Sequence, residues 1–256
     1  MALLTVGLCG ASAAPANAAL RPWRAHVRDA AEYAAARAGS VAFGVRSSDG
    51  LRGIEVERTV PSASVVKAML LVAYLRQRDV RHRRLRAADR ALLGPMIRRS
   101  DNAAASQVCN IVGTGGLARL AHRVHMHRFH ATRPWGLSTI DVADQTRLFL
   151  HIDRRIPGRH RRYAMRLLSS IVPEQRWGIA RARPPGWALY FKGGWGSGTG
   201  WVDHQVALLR RGRRRLAVAI LITSSPSHAY GNETLRGVAS RLLHGLGPNR
   251  VPGRRR

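Results

Sequence analysis

The sequence predicts an α+β fold: a mostly antiparallel sheet built from both ends of the chain and flanked by helices, with an all-helical lobe inserted between. Three observations carry this. Strand-like segments occur near the start and in the last third of the chain, and the middle reads as successive helices. Each strand-like segment is bounded by Gly or polar turn residues. The 256 residues, 45% hydrophobic, suffice for one large domain with a sizeable core.

Residues 1–18 read as a secretory signal. Ala2 to Leu8 are apolar and Ala16-Asn17-Ala18 is a small-x-small cleavage pattern, although no Lys or Arg precedes the apolar stretch. The expectation is an exported, monomeric protein with one domain over residues 19–250 and a disordered basic tail over 251–256. No apolar run reaches the length of a membrane span. Cys9 falls inside the signal, so Cys109 would remain without an intrachain partner, as a buried helix thiol.

In order, residues 23–38 are Ala-rich and read as a helix, and Val41 to Val45 as a strand. Asp49-Gly50 marks a turn, with Ile54 to Glu57 alternating as the returning strand. The apolar run Val65 to Leu75 reads as a buried helix. Helices are expected over 87–99, over 101–112 ending at Gly113, and from Gly115-Gly116 to about His125. Arg128 to Leu137 reads as a loop. Thr139 is expected to cap a helix over roughly 141–151, and another helix covers 160–171. Ala188 to Lys192 is a strand, followed by a Gly-rich turn from Gly193 to Gly200. Val202 to Leu209 and Leu216 to Thr223 form a hairpin around a basic turn, Arg210 to Arg215. A closing amphipathic helix covers 232–245.

The formal charge is +29, from 43 basic and 14 acidic residues. The arginines spread along the whole chain without aromatic interleaving, which argues against a specific nucleic-acid site. An exported protein of this charge would be held near anionic cell-wall polymers. Against 41 arginines stand only two lysines, Lys67 and Lys192. Guanidinium stays charged in any protein setting, whereas an ammonium can lose its proton. Lysine is therefore kept where an amine base has a use.

Both lysines sit in short motifs. Ser64-Val65-Val66-Lys67 at a helix start puts a hydroxyl and an amine one turn apart on one face. A serine needs a base to become a nucleophile, and burial beside a second cation, Lys192, would lower the Lys67 pKa enough. Ser100-Asp101-Asn102 lies between two helices: Ser100 would relay a proton, Asn102 would hold Lys67 and a substrate amide, and Asp101 would tie the loop. Lys192-Gly193-Gly194 ends a strand along which an extended substrate can lie. The backbone N–H groups of Ser64 and Trp195 would then form an oxyanion hole.

Each block alone is common. Together, in this order, they resemble the penicillin-recognising serine hydrolases, and more closely the class A β-lactamases, over roughly residues 23 to 245. The resemblance implies a β-lactamase-like fold and no cofactor or metal. It implies Ser64 as the acylated nucleophile, with Lys67 as its base or relay. Ser100 and Lys192 would be catalytic, and Asn102, Gly194 and Trp195 would bind a β-lactam or a peptidoglycan peptide. The alternatives are a D-alanyl-D-alanine peptidase or related peptidoglycan amide or ester hydrolase, and a non-catalytic wall-binding module that keeps the fold.

Three departures from that pattern matter. The Glu that activates the deacylating water has no counterpart, because residues 103 to 140 contain no Asp or Glu. Asp141 and Asp144 read as a cap and a surface charge, and Glu174 as a loop residue. Gly193 stands where a Thr or Ser would contact a substrate carboxylate, leaving Ser197 or Thr199 as substitutes. Ser64 and Ser100 are only 36 residues apart, so the helical lobe should be trimmed. The expectation is slow deacylation. Three other signals read as structure: His122, His125, His127 and His130 as a polar surface stretch, Gly196-x-Gly198-x-Gly200 as a strand-to-strand turn, and Asp203-His204 as strand residues.

Overall fold

The computed structural model describes residues 24–246; the expected signal at 1–18 and basic tail at 251–256 lie outside the described residues. Helix α1 (Arg24–Ala35) leads into strand β1 (Ser40–Ser47). Strand β2 is Gly50–Ile54, earlier than expected, because a two-residue turn at Ser48-Asp49 pairs Ser47 directly with Gly50. Gly50 takes φ 107°, which suits glycine. Glu55, at φ 48°, then bends the chain out of the sheet, and its carboxylate meets Arg58 at 2.7 Å.

The short strand β3 (Val60–Pro61) ends at a single 3-10 turn, Ala63–Val65, that runs straight into helix α2 (Val66–Leu75). All ten α2 residues are buried. A helix apolar all round must sit inside, and α2 packs against helices α3 (Ala87–Arg98), α4 (Asn102–Arg123) and α7 (Gly158–Ser169) of the helical lobe. Lys67 is the one charged side chain in that helix. Gly113, with non-helical φ 68° and ψ 165°, kinks α4 where the sequence places a break between two helices. Cys109 is buried in α4, and burial raises its thiol pKa.

Thr139 is not a helix cap. With Ile140 it forms strand β4, paired to β3, and the carboxylate of Asp141 caps helix α5 (Val142–Leu150) by accepting the Asp144 N–H at 2.6 Å. Asp144 is not a surface charge either. It is buried and accepts the backbone N–H groups of His127, Arg128 and Phe129 at 2.9, 2.7 and 3.1 Å. One carboxylate thus anchors the long loop between α4 and β4. Asp144→Ala would strand those donors and is expected to cost about 3 kcal/mol. Denaturant unfolding measures it, and a loss under 1 kcal/mol would show that the loop holds without the anchor.

After α5, helix α6 (Ile152–Arg155) and α7 close the lobe. Strand β5 (Ala188–Gly196) runs through the Gly-rich segment instead of turning at Gly193. Sheet ladders are backbone contacts, and Gly193, Gly194, Trp195 and Gly196 pair with Gln205, His204, Asp203 and Val202 of β6 (Val202–Arg211). The turn is confined to Ser197–Thr199 and the residues just after it. The basic turn also shrinks: Arg211 pairs with Arg214 of β7 (Arg214–Thr223) around Gly212-Arg213. Helix α8 (His228–Leu242) completes the order.

The sheet runs β2-β1-β7-β6-β5, antiparallel at every step, so strands from both ends of the chain meet at β1 and β7. Helices α1 and α8 pack together on one face, and α5 covers β1, β7 and β6 on the other. The expected architecture is the observed one. Strand β5 forms the edge beside the helical lobe and touches the turn that carries Ser64.

Candidate active site

Four elements converge beside β5. The 3-10 turn before α2 brings Ser64, and α2 brings Lys67. The turn between α3 and α4 brings Ser100, α4 opens on Asn102, and β5 itself carries Lys192, Gly194 and Trp195. Two of these junctions hold non-glycine residues in the left-handed region, Ala63 at φ 43° and Ser100 at φ 57°. Such backbone is unfavourable for an L-residue and persists only where its surroundings enforce it. Here it sets the side chains of Ser64 and Ser100.

A hydrogen-bond network joins four of the predicted residues, Lys67, Ser100, Asn102 and Lys192, and does not include the Ser64 hydroxyl. The Lys67 Nζ donates to Asn102 Oδ1 at 2.6 Å, Ser100 O at 2.6 Å and Ser100 Oγ at 3.2 Å. The Lys192 Nζ donates to the same Ser100 Oγ at 3.0 Å and to Gly193 O at 2.6 Å. Ser100 therefore bridges two amines. Asp101 ties the loop as expected, accepting the Ala104 N–H at 2.7 Å as the α4 cap.

Both lysines are fully buried. Burial lowers Lys67 to about 7, with Asp101 opposing. Burial holds Lys192 well below the usual lysine value, and the Lys67 charge adds to that. The sequence reading named burial together with a neighbouring cation, Lys192; burial is the cause that lowers Lys67. Near neutral pH Lys67 can hold or release a proton.

Gly194 lies directly against the serine turn. A Cβ there would sit 2.8 Å from Ser64 N and 2.9 Å from Val65 N, both rigid backbone. Gly194→Ala must push β5 and Ser64 apart. It is expected to slow any reaction of Ser64 about 100-fold. Stopped-flow acylation of a folded variant tests this, and an unchanged rate would detach β5 from the chemistry.

Three residues that the sequence reading missed complete the surroundings. The Trp135 ring stacks over the Lys67 Nζ at 4.7 Å, and its Nε1 donates to Ser106 Oγ at 3.1 Å. The Trp177 ring fills the space beside Gly193, where a Cβ would lie 3.0 Å from it. A side chain at Gly193 would press on that indole. Ser197 and Thr199 lie past the end of β5. His228 stacks on Trp195 (5.6 Å, 27°), and Trp177 meets both rings edge-on. His228 Nδ1 is 2.5 Å from Asp203 Oδ1, so this aromatic group is fixed to β6. Only an isolated Trp in a polar Pro/Gly loop signals Trp135 in the sequence.

His204 is structural. Its Nδ1 accepts the Ile222 N–H at 3.1 Å, so its Nε2 donates to Pro61 O at 3.0 Å, and burial pushes its pKa down to about 4. Asp203 bonds His228 rather than His204. Glu174 is exposed in a 3-10 turn, and Asp141 is the α5 cap. Among the described residues, no carboxylate forms an ion pair with Lys67, and Asp101 is near enough to oppose the lowering of its pKa.

The chain and its fold match known proteins. The model of the beta-lactamase enzyme family matches residues 83–246, a span holding Ser100, Asn102, Lys192, Gly194 and Trp195 and beginning after Lys67. Among solved structures, a beta-lactamase from Sphaerobacter thermophilus is 20% identical with a TM-score of 0.75, and the match covers 89% of this chain and 100% of that one. An ancestral class A beta-lactamase is 16% identical (TM-score 0.74, covering 85% and 98%). The protein named PBP-A is 15% identical (TM-score 0.73, covering 88% and 97%). At these identities the likeness is one of fold. No curated protein matches by sequence.

Proposed function

The chain belongs to the beta-lactamase enzyme family, and from that membership we propose that it is an exported serine hydrolase working through an acyl-enzyme on Ser64. The observation that carries this reading is the pair of buried lysines sharing Ser100 Oγ at 3.2 and 3.0 Å. Burying two amines together is unfavourable, and groups perturbed in this way cluster at functional sites. A wall-binding module has no use for such a pair.

In the proposed reaction, neutral Lys67 accepts the Ser64 hydroxyl proton as Oγ attacks the carbonyl carbon of a β-lactam or a peptidoglycan amide. The N–H groups of Ser64 and Trp195 receive the oxyanion. The proton then passes through Ser100, between the two amines, to the leaving nitrogen as the C–N bond breaks. Asn102 holds Lys67 and, in this reading, meets the substrate amide.

The peptidase reading has a specific observation in its favour: among the described residues no carboxylate forms an ion pair with Lys67, and Trp135 covers that amine. Intact-mass spectrometry with a penicillin tests the proposal. A drug-mass adduct is expected on the wild type and none on Ser64→Ala. A wild type that forms no adduct and consumes no drug would overturn it.

A further inference from the structure

Away from Ser64, the helical lobe carries a groove lined by arginines. Arg76, Arg81, Arg119 and Arg123 surround a central hollow between the end of α2 and the second half of α4, with Gly116 in its wall. Arg119 and Arg123 also line a neighbouring hollow of ≈ 410 Å³. Arg76 and Arg81 line another of ≈ 380 Å³, together with Arg159. Each flanking hollow far exceeds the roughly 30 Å³ share of one water in the liquid. The three share their walls and follow one another across the lobe.

The charge there is not internally balanced. Among the described residues, none of these five guanidiniums forms an ion pair. No Asp or Glu lines any of the three hollows. Arg76 is held down by burial and by the charges of Arg123, Arg155 and Arg81, with no carboxylate offsetting them. Unpaired guanidiniums around a concavity focus positive potential, and their forked donors fit phosphate oxygens two at a time. No Trp, Tyr or Phe lines the hollows; the rings there are the imidazoles of His122 in one flanking hollow and His82 in the other, so no indole or phenyl face is offered to a nucleobase.

We infer that this groove binds a linear phosphodiester polymer without bases, successive phosphates seating along the arginine-lined hollows. The inference is independent of the reaction at Ser64 and replaces attraction by overall charge with one defined site.

The test is titration of the full chain with synthetic poly(glycerol phosphate), following Kd against salt. Poly-glutamate and single-stranded DNA of matched charge are the competing ligands. The exposed residues Arg81, Arg119 and Arg123 are changed together to Gln. A control changes Arg211, Arg213 and Arg214 on the β6–β7 hairpin to Gln, for the same loss of charge. The groove variant is expected to weaken poly(glycerol phosphate) binding at least about 10-fold and to flatten the log–log salt slope by about 3. The hairpin variant should stay within about twofold. Both should keep the wild-type melting temperature, which reports folding whatever happens at Ser64. Equal losses in the two variants, or none in the groove variant, would overturn the site. Poly-glutamate or DNA binding as tightly, with the same dependence on the three arginines, would overturn the assigned chemistry.

Discussion

Lys67→Arg is expected to lower the rate of Ser64 acylation about 1,000-fold, the scale of losing a general base. The substitution keeps a cation at the end of the side chain but removes the ability to give up its proton. Wild-type Lys67 sits at about 7, lowered first by burial. Its neutral fraction, and with it the acylation rate, should therefore rise as pH passes upward through about 7 and level off above. The arginine variant should show no such rise. Rapid-quench mass spectrometry from pH 5.5 to 9 measures both, and near wild-type acylation by the variant would remove Lys67 from the base role. The larger guanidinium also has to fit where Lys67 Nζ holds three hydrogen bonds under Trp135. Lys67→Ala separates the two effects: if alanine is equally slow, lost basicity and not crowding is the cause.

The same burial has a cost in stability, and its sign is fixed. An unfolded lysine keeps its proton up to the ordinary value of 10.5, whereas folded Lys67 releases it near 7. Between those values the unfolded chain binds more protons, so this group makes stability rise with pH across the window. Its penalty is complete below about 7. Lys192, also held low by burial, acts in the same direction.

The second large effect concerns the fate of the acyl-enzyme. We expect the adduct to outlast its formation by orders of magnitude, so that penicillin consumption nearly stops after one equivalent. Deacylation requires a water polarised by a base on the far side of the ester. Asp101, the carboxylate that acts on Lys67, is committed to the Ala104 N–H. Asp141 caps α5, Asp144 anchors a loop, and Glu174 is exposed. The Trp135 ring lies over the Lys67 amine, where it excludes water and offers no base. Time-resolved intact-mass spectra after removal of free drug measure the lifetime. A burst followed by fast steady turnover would show that another group activates the water.

Much of this molecule is local, and local features are what a sequence displays. The all-apolar run Val65 to Leu75 could only be a buried helix, and a single lysine inside it marked Lys67 before any coordinates. Two lysines among 41 arginines singled out the pair of amines that the fold buries against Ser100 Oγ. The order of strands and helices was enough to place both ends of the chain in one sheet, as β1 beside β7 bears out. The failures were also local in origin. Residues Ile54 to Glu57 alternate like a strand, but the tight Ser48-Asp49 turn had already set the register. Gly193 to Gly196 looked like a turn, because glycine composition does not reveal that β6 lies alongside to pair with it. Asp144 looked like a surface charge, because its three N–H partners, 15 to 17 residues back, reach it only after the chain has looped. Trp135 over Lys67, Trp177 in the space beside Gly193, and His228 against Trp195 are contacts between segments far apart in the chain. Motif and periodicity carry residue type and the near face of an element. Which distant ring fills a given gap is decided by packing, and only the folded chain contains that decision.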